Sequence, residues 1–194
     1  MIRRAVALAA FAAALSGCAT TSAPLSQAPV AAYRDTIDLA GRLTVNYQKD
    51  GKAESVTVHY DWQQTPGRID VGVATPLGQT VANITVTPES ATLTQAERPP
   101  RVARDIEALT AEALGWSLPV SGLRDWLQGY ATGTDGKRFT ASPANNNVVT
   151  KDGWRLRFMS WQDEASATPQ PKTIYADRND GSELQIRIVI QPAG

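Results

Sequence analysis

One pair of side chains has the types and spacing of a catalytic dyad. His59 is the only histidine of the chain, and Asp61 follows two positions later, where a strand would place both on one face. An imidazole beside a carboxylate is a general base that could activate a nucleophile. However, the pair alternates with Val58 and Tyr60, which puts it on the polar side of its strand, and no Gly-x-Ser-x-Gly motif occurs. We therefore expect a solvated His59.

Sites for metals, phosphates and nucleic acids are not indicated either. A metal site needs several clustered histidine, cysteine or carboxylate ligands, and the chain has one histidine and one cysteine. No glycine-rich phosphate loop precedes a predicted helix. Basic and acidic residues are balanced at 19 each, whereas a nucleic-acid binder would show a basic face. The sequence predicts no cofactor, no metal and no nucleic-acid partner.

The single cysteine, Cys18, follows Leu15-Ser16-Gly17, and this motif resembles the bacterial lipobox, at which lipid is attached to the cysteine. A basic start precedes an apolar stretch at residues 5–15, and small residues lead up to the cysteine. These are the parts of a secretory signal, and the apolar run is far shorter than the ~20 residues of a membrane-spanning helix. Residues 1–17 are therefore predicted to be a signal peptide that is removed. The alternative is a chance cysteine beside an ordinary cleavage site.

The residues that follow Cys18 have the composition of a linker. Residues 19–32 are small, uncharged and contain proline, which is typical of a flexible tether. We predict a lipidated N-terminus and tether at residues 18–32 and one folded domain at residues 33–194. About 160 residues are enough for a single domain with a sizeable core.

Alternation of apolar and polar residues predicts antiparallel strands with one buried face. Turn signals separate them, among them Asp50-Gly51, Pro66-Gly67 and Asn179-Asp180-Gly181. The alternating stretches lie near residues 39–48, 56–62, 69–73, 81–86, 91–94, 154–158, 173–176 and 184–190.

Between the fifth and sixth of these stretches, apolar residues recur at intervals of three and four positions, as on one face of a helix. An apolar stripe from Ile106 to Leu114 indicates a helix that ends at Gly115. Ser121 is predicted to cap a second, shorter helix that stops at Gly129. A long meander curls to protect its edges, so helices inserted mid-chain must cover or plug it. The sequence predicts an α+β fold, mainly β, in which an incomplete barrel carries a helical lid. Strand pattern alone does not distinguish a ligand cavity from a filled interior.

Apolar side chains on these elements are candidates for lining a cavity that takes an acyl chain. Such a ligand is large and apolar and needs few polar contacts. For each aromatic candidate the alternative is a place in the ordinary core. The candidates are Tyr47, Tyr60, Trp62, Leu109, Leu114, Trp116, Leu118, Leu123, Trp126, Leu127 and Phe158.

The loop formed by Pro76, Leu77 and Gly78 is a candidate for contact with a membrane. Proline and glycine at these positions favour a type I turn, which brings Leu77 near the tip. No charged residue occurs in residues 71–88, so the loop can approach lipid without desolvating an ion. Alternatively, Leu77 folds back onto the core, as loop leucines usually do.

Several segments together resemble the LolB family of outer-membrane lipoprotein receptors. They occur in the order of the family and cover the chain from Cys18 to about residue 130, while the last third matches only in strand character. The segments are the Cys18 motif and residues 41–45 (GRLTV), 60–64 (YDWQQ), 75–78 (TPLG), 114–120 (LGWSLPV) and 123–129 (LRDWLQG).

The resemblance implies a half-open antiparallel barrel of about eleven strands with a helical lid. Cys18 would carry diacylglycerol and an acylated amine, which anchor a monomer to the outer membrane, facing the periplasm. The cavity would take the acyl chains of lipoproteins delivered by a LolA-type periplasmic carrier. Leu77, on the protruding loop of the family, would promote their release into outer-membrane phospholipid.

Two other functional classes remain as alternatives. A structural lipoprotein, such as an assembly scaffold, would show a filled barrel and a protein interface. A periplasmic enzyme would depend on His59 and Asp61.

Overall fold

The computed structural model describes residues 24–178 and 183–191. The predicted signal peptide, Cys18 and the turn at Asn179-Asp180-Gly181 lie outside these ranges.

The described residues form two groups of strands around two helices. The first group is β1 (Ile37–Lys49), β2 (Lys52–Thr65), β3 (Arg68–Ala74), β4 (Thr80–Val86), β5 (Ala91–Thr94) and β6 (Arg101–Ala103). The helices are α1 (Ile106–Leu114) and α2 (Val120–Trp126). The second group is β7 (Tyr130–Thr132), β8 (Arg138–Thr140), β9 (Asn147–Val149), β10 (Arg155–Trp161), β11 (Pro171–Arg178) and β12 (Leu184–Ile190). The predicted class, mainly β with two mid-chain helices, is confirmed.

Ten of the strands form one antiparallel sheet that does not close. Its order is β6-β5-β4-β3-β2-β1-β12-β11-β10-β9, and β7 pairs with β8 in a separate small sheet. The last strand, β12, lies beside the first, with Gly41 opposite Ile190, so the chain meets itself in the middle of the sheet and β6 and β9 remain as edges. This is the predicted open half-barrel. The described residues hold twelve strands, whereas the resemblance implied about eleven. Alternation marked eight of them and missed β6 to β9, which have three residues each and are too short to alternate visibly.

Two hairpin turns follow the sequence. Asp50 and Gly51 have φ values of 52° and 74°, and Lys49 pairs with Lys52 across them, so this is a two-residue turn with both central residues left-handed. Pro66-Gly67 joins β2 to β3 in the same tight manner, with Thr65 opposite Arg68.

The first helix ends at Gly115 as predicted, whereas the predicted cap of the second helix is wrong. Asp105 accepts a hydrogen bond from Ala108 N at 3.0 Å, and Gly115 ends α1 with φ 85°. The prediction that Ser121 caps α2 is wrong, because the helix already begins at Val120 after Pro119. The backbone N–H of Ser121 instead donates to Glu107 Oε1 of α1 at 3.1 Å. No helix in the described ranges is long and apolar enough to cross a bilayer.

The chain before β1 is packed against the body earlier than the predicted boundary at Tyr33. Val30 is 5% exposed and belongs to the core. Its N–H donates to Ala141 O at 3.0 Å, and Ser26 O accepts from Ala144 N at 3.0 Å. We call residues 26–34 the strap. Composition suggested a flexible tether up to residue 32, but one buried valine and these backbone hydrogen bonds attach residues 26–32 to the body.

Candidate acyl-binding cavity and exposed loop

A small apolar cavity lies where the helices meet the inner face of the sheet. We call residues 106–127, which contain both helices, the lid. The cavity volume is about 10 Å³, no more than one water molecule requires, so lid and sheet are in close contact here. The sheet contributes Leu43, Val58, Tyr60, Trp62, Val71, Val73 and Ile188, and the lid contributes Trp116, Leu118, Leu123 and Leu127.

Six of the predicted candidates line this cavity, namely Tyr60, Trp62, Trp116, Leu118, Leu123 and Leu127. Four others lie elsewhere. Leu109 is buried in the core, and Trp126 packs edge-on against Trp154 with ring centroids 5.5 Å apart. Phe158 lies between Phe139 and Trp161 in a separate aromatic stack. Tyr47 lines a polar cleft. The side chain of Leu114 is not among those that the structure describes.

Five lining residues were not singled out from the sequence: Leu43, Val58, Val71, Val73 and Ile188. Each faces inward on β1, β2, β3 or β12, and all of them follow the predicted alternation. The signal that could have found them was therefore present. What was missing was the strand order, because only the pairing of β12 with β1 brings Ile188 beside Leu43.

A chain of buried and half-buried polar groups connects the cavity floor to the lid through the strap. Trp62 Nε1 donates to Gln64 Oε1 at 3.3 Å, and Gln64, which is 1% exposed, donates from Nε2 to the Tyr33 hydroxyl at 3.1 Å. Arg124 of α2 donates to the same hydroxyl at 3.1 Å. Gln64 is thus a buried amide that depends on a residue of the strap for one of its two side-chain hydrogen bonds.

Residues that directly follow the lid hold the backbone of the strap. Gln128 accepts from Arg34 N at 2.9 Å and donates to Arg34 O at 3.0 Å. Tyr130 donates its hydroxyl proton to Ala31 O at 2.6 Å. By contrast, no backbone hydrogen bond joins the lid to the ten-stranded sheet within the described chain. An exposed ion pair between Arg101 of β6 and Glu112 of α1, at 3.0 Å, adds little. Apolar packing is therefore the main contact between lid and sheet.

The hydroxyl of Tyr60 is a polar group inside this apolar region. Tyr60 is 4% exposed, and its Oη has no hydrogen-bond partner among the described residues. Burial raises the pKa of the phenol above its ordinary range, which already lies well above neutral pH, and the group is therefore a neutral O–H donor. Gly41 lies directly opposite on β1, and a Cβ at that glycine would be 2.7 Å from Oη. Because glycine has no side chain, the ring of Tyr60 fits over the backbone of Gly41.

The predicted loop between β3 and β4 exposes its leucine. Gly78 N donates to Thr75 O at 2.9 Å and Thr75 N donates to Gln79 O at 2.8 Å, which closes the turn. Gly78 has φ 83°, a conformation that glycine adopts without cost. Leu77 is 89% exposed and does not fold back onto the core.

The two residues considered for catalysis do not line the apolar cavity. His59 and Asp61 lie on the outer face of β2, and no hydrogen bond joins them in the described structure. Residues 24–178 and 183–191 contain no group of three His, Cys, Asp or Glu side chains that could hold a metal. A larger cleft of about 580 Å³ is lined by polar and charged residues such as Glu54, Arg155 and Asp177, which do not suit an acyl chain.

Comparisons with known sequences identify the family of this chain. The family described as Outer membrane lipoprotein LolB matches residues 35–192. The outer-membrane lipoprotein LolB of Cupriavidus taiwanensis is 39% identical over 158 residues, which cover 78% of each chain. That of Thiobacillus denitrificans is 34% identical over 197 residues, covering 97% of this chain and 96% of its own. A LolA superfamily protein of Nitrosomonas europaea superposes with a TM-score of 0.46 at 6% identity, covering 82% of this chain and 86% of its own. On the strength of the family match and the sequence relatives, the chain belongs to the LolB family of outer-membrane lipoproteins.

Proposed function

We propose that this protein is an outer-membrane receptor that accepts lipoproteins from a LolA-type periplasmic carrier by their acyl chains and inserts them into the membrane. The observation that carries the proposal is the apolar interface between lid and sheet, to which both sides contribute large side chains. No covalent bond is formed or broken in this transfer, so the proposed function requires no catalytic residue.

Acyl chains would enter by separating the lid from the sheet. Ligand cavities for molecules of this size occupy about 300–1,000 Å³, so the cavity of about 10 Å³ corresponds to a closed state. Apolar contacts are not directional. Trp116, Leu118 and Leu123 can therefore exchange sheet side chains for acyl methylenes without exposure to water. This exchange makes opening inexpensive only when a lipid is present to fill the gap.

Leu77 would act in the release step. Burying an exposed leucine in lipid is worth about 1.5–3 kcal/mol, which supports transient contact with a bilayer but not stable insertion. The surrounding stretch, residues 71–88, has no charged side chain. The loop can therefore touch the hydrocarbon surface while the cavity empties.

The strap would keep the cavity and the loop near the membrane. With Cys18 lipidated and Ser26 held by Ala144, the intervening residues span at most roughly 30 Å when fully extended. The predicted tether up to residue 32 would have allowed about 45 Å. A shorter tether raises the effective concentration of the body at the membrane surface.

Transfer assays test the proposal in two steps. A radiolabelled lipoprotein on a LolA-type carrier is mixed with the mature chain bearing Cys18→Ala, and the label is expected to move to this chain. The lipidated chain in phospholipid vesicles is then expected to pass the label to the bilayer. A folded chain that takes no label from a carrier, under conditions where a LolB relative does, would overturn the receptor proposal.

The filled interior favours one alternative, a structural lipoprotein without a lipid cavity. Such a protein would keep its lid closed in the presence of lipid. Hydrogen exchange of residues 106–127 separates the two functions. Faster exchange upon addition of a lipidated peptide indicates a receptor, and unchanged exchange indicates a scaffold.

A further inference from the structure

The unpartnered hydroxyl of Tyr60 is the one feature of the cavity that an apolar ligand alone does not explain. Buried polar groups are nearly always hydrogen-bonded, and an exception calls for a reason. Tyr60 lines the cavity together with aliphatic and indole side chains such as Val58, Trp62 and Ile188. A buried water needs two to four polar partners, which such a lining does not supply. A phenylalanine would pack the same space without the cost of an orphaned hydroxyl.

The hydroxyl is also held in one place. Tyr60 lies in β2 between Gly41 on β1 and Val73 on β3. At Gly41 a Cβ would lie 2.7 Å from Tyr60 Oη, 2.8 Å from Cε1 and 2.1 Å from Val189 O. The ring therefore crosses the strand over the bare backbone of the glycine. A donor fixed before its acceptor arrives loses little entropy upon binding, as in preorganised sites.

The chemistry of an acylated ligand offers one matching acceptor. Its methylene chain has none, but the ester or amide that joins the chain to its head has a carbonyl oxygen. We propose that Tyr60 Oη donates a hydrogen bond to the linkage carbonyl of an acyl chain in the cavity, and that this contact sets how deep the chain enters. The inference rests on the proposed function, because it assigns a polar subsite within the same cavity.

This assignment gives Tyr60→Phe two effects of opposite sign. Without lipid, the variant loses an unsatisfied buried group, so its melting temperature should rise. With lipid, it loses a hydrogen bond, which corresponds to an affinity about 3- to 10-fold lower. A hydroxyl with a purely structural role would instead lower the melting temperature when removed.

Matched ligands locate the contact. The mature chain with Cys18→Ala, which has no anchor to compete for the cavity, is titrated with three lipidated cysteine peptides. The first carries a diacylglyceryl group with ester linkages, the second is its dialkyl ether counterpart, and the third carries only an N-palmitoyl amide. Tyr60→Phe should weaken the ester ligand or the amide ligand, whichever carbonyl is bound, and leave the ether ligand unchanged.

Tyr175→Phe is the matched control. Tyr175 lies on the outer face of the sheet, where the guanidinium groups of Arg157 and Arg187 flank its ring at 5.4 Å and 6.0 Å. The control should bind all three ligands like the parent chain. Equal loss of all three ligands by Tyr60→Phe, or no loss of any, overturns the carbonyl contact and leaves the receptor function intact. A parent chain that binds none of the ligands overturns both proposals.

Discussion

Arg124 of the lid donates from Nε to the hydroxyl of Tyr33 at 3.1 Å, and Tyr33 belongs to the strap, not to the sheet. The same hydroxyl accepts from Gln64 of β2. The polar attachment of α2 therefore runs through the segment that leads back to Cys18. Gln128, the first residue after the lid, binds the same segment through both backbone groups of Arg34.

Removing the hydroxyl of Tyr33 should destabilise the protein. Tyr33→Phe deprives Gln64, which is 1% exposed, of one hydrogen bond, and a buried polar group left unsatisfied costs about 1–3 kcal/mol. Urea unfolding of the variant and the parent chain measures the difference. Tyr175→Phe, a change on the outer face, serves as control. Equal unfolding midpoints for Tyr33→Phe and the parent would mean that the bond to Gln64 contributes nothing to stability.

Charging the strap at Val30 should release it from the body. Val30 is 5% exposed and contacts Gly129 so closely that a Cβ there would lie 2.6 Å from its Cγ1. Val30→Asp loses the burial of a valine, about 1.5–3 kcal/mol, and adds a desolvated charge. Limited proteolysis should then cut within residues 26–34. Leu25→Asp, at a side chain that is 56% exposed, should resist cleavage there like the parent, and a resistant Val30→Asp would contradict the docked strap.

A charge at Leu77 should block insertion and spare folding. The side chain is 89% exposed, so Leu77→Glu should unfold at the same urea concentration as the parent. A carboxylate at the loop tip would have to be desolvated at the bilayer, so transfer of labelled lipoprotein to vesicles should fall at least about tenfold. Val102→Glu, at an apolar side chain of β6 that is 67% exposed, should insert cargo normally. Normal insertion by Leu77→Glu would remove the loop from the mechanism.

An added methyl group should lower the stability of the protein at one glycine of the sheet and not at another. At Gly41 a Cβ would lie 2.1 Å from Val189 O, a backbone atom that cannot move without disturbing β12. Gly41→Ala should therefore cost about 1–3 kcal/mol, as overpacking usually does. At Gly72 the nearest atom would be Asp61 Oδ2 at 3.7 Å, an ordinary contact, so Gly72→Ala should be neutral or slightly stabilising. Calorimetric melting of both variants tests this, and equal losses would contradict the close approach at Gly41.

The alternation of apolar and polar residues, together with turn residues, predicted most of the secondary structure from the sequence. The two-residue period of a strand predicted the inward positions of β1 to β5 and β12. The preference of glycine for positive φ predicted the turns at Asp50-Gly51 and Pro66-Gly67 and the end of α1 at Gly115. The family was also identified from short segments of the chain. Such features depend on neighbours in sequence, so the sequence alone was sufficient for them.

Tertiary contacts decided the rest. Composition predicted a free tether to residue 32, but Val30 finds a place beside Gly129, about a hundred residues away in sequence. Ser121 has the chemistry of a cap, but α2 already begins at Val120, so Ser121 lies inside the helix and its N–H donates to Glu107 of the neighbouring helix. The order of the strands decides which buried aromatic residues line the cavity and which lie in the core. Tyr60 lines the cavity, and Phe158 lies in a separate aromatic stack. Burial and partner choice are set by which distant segments pack together, and local periodicity contains no information about that.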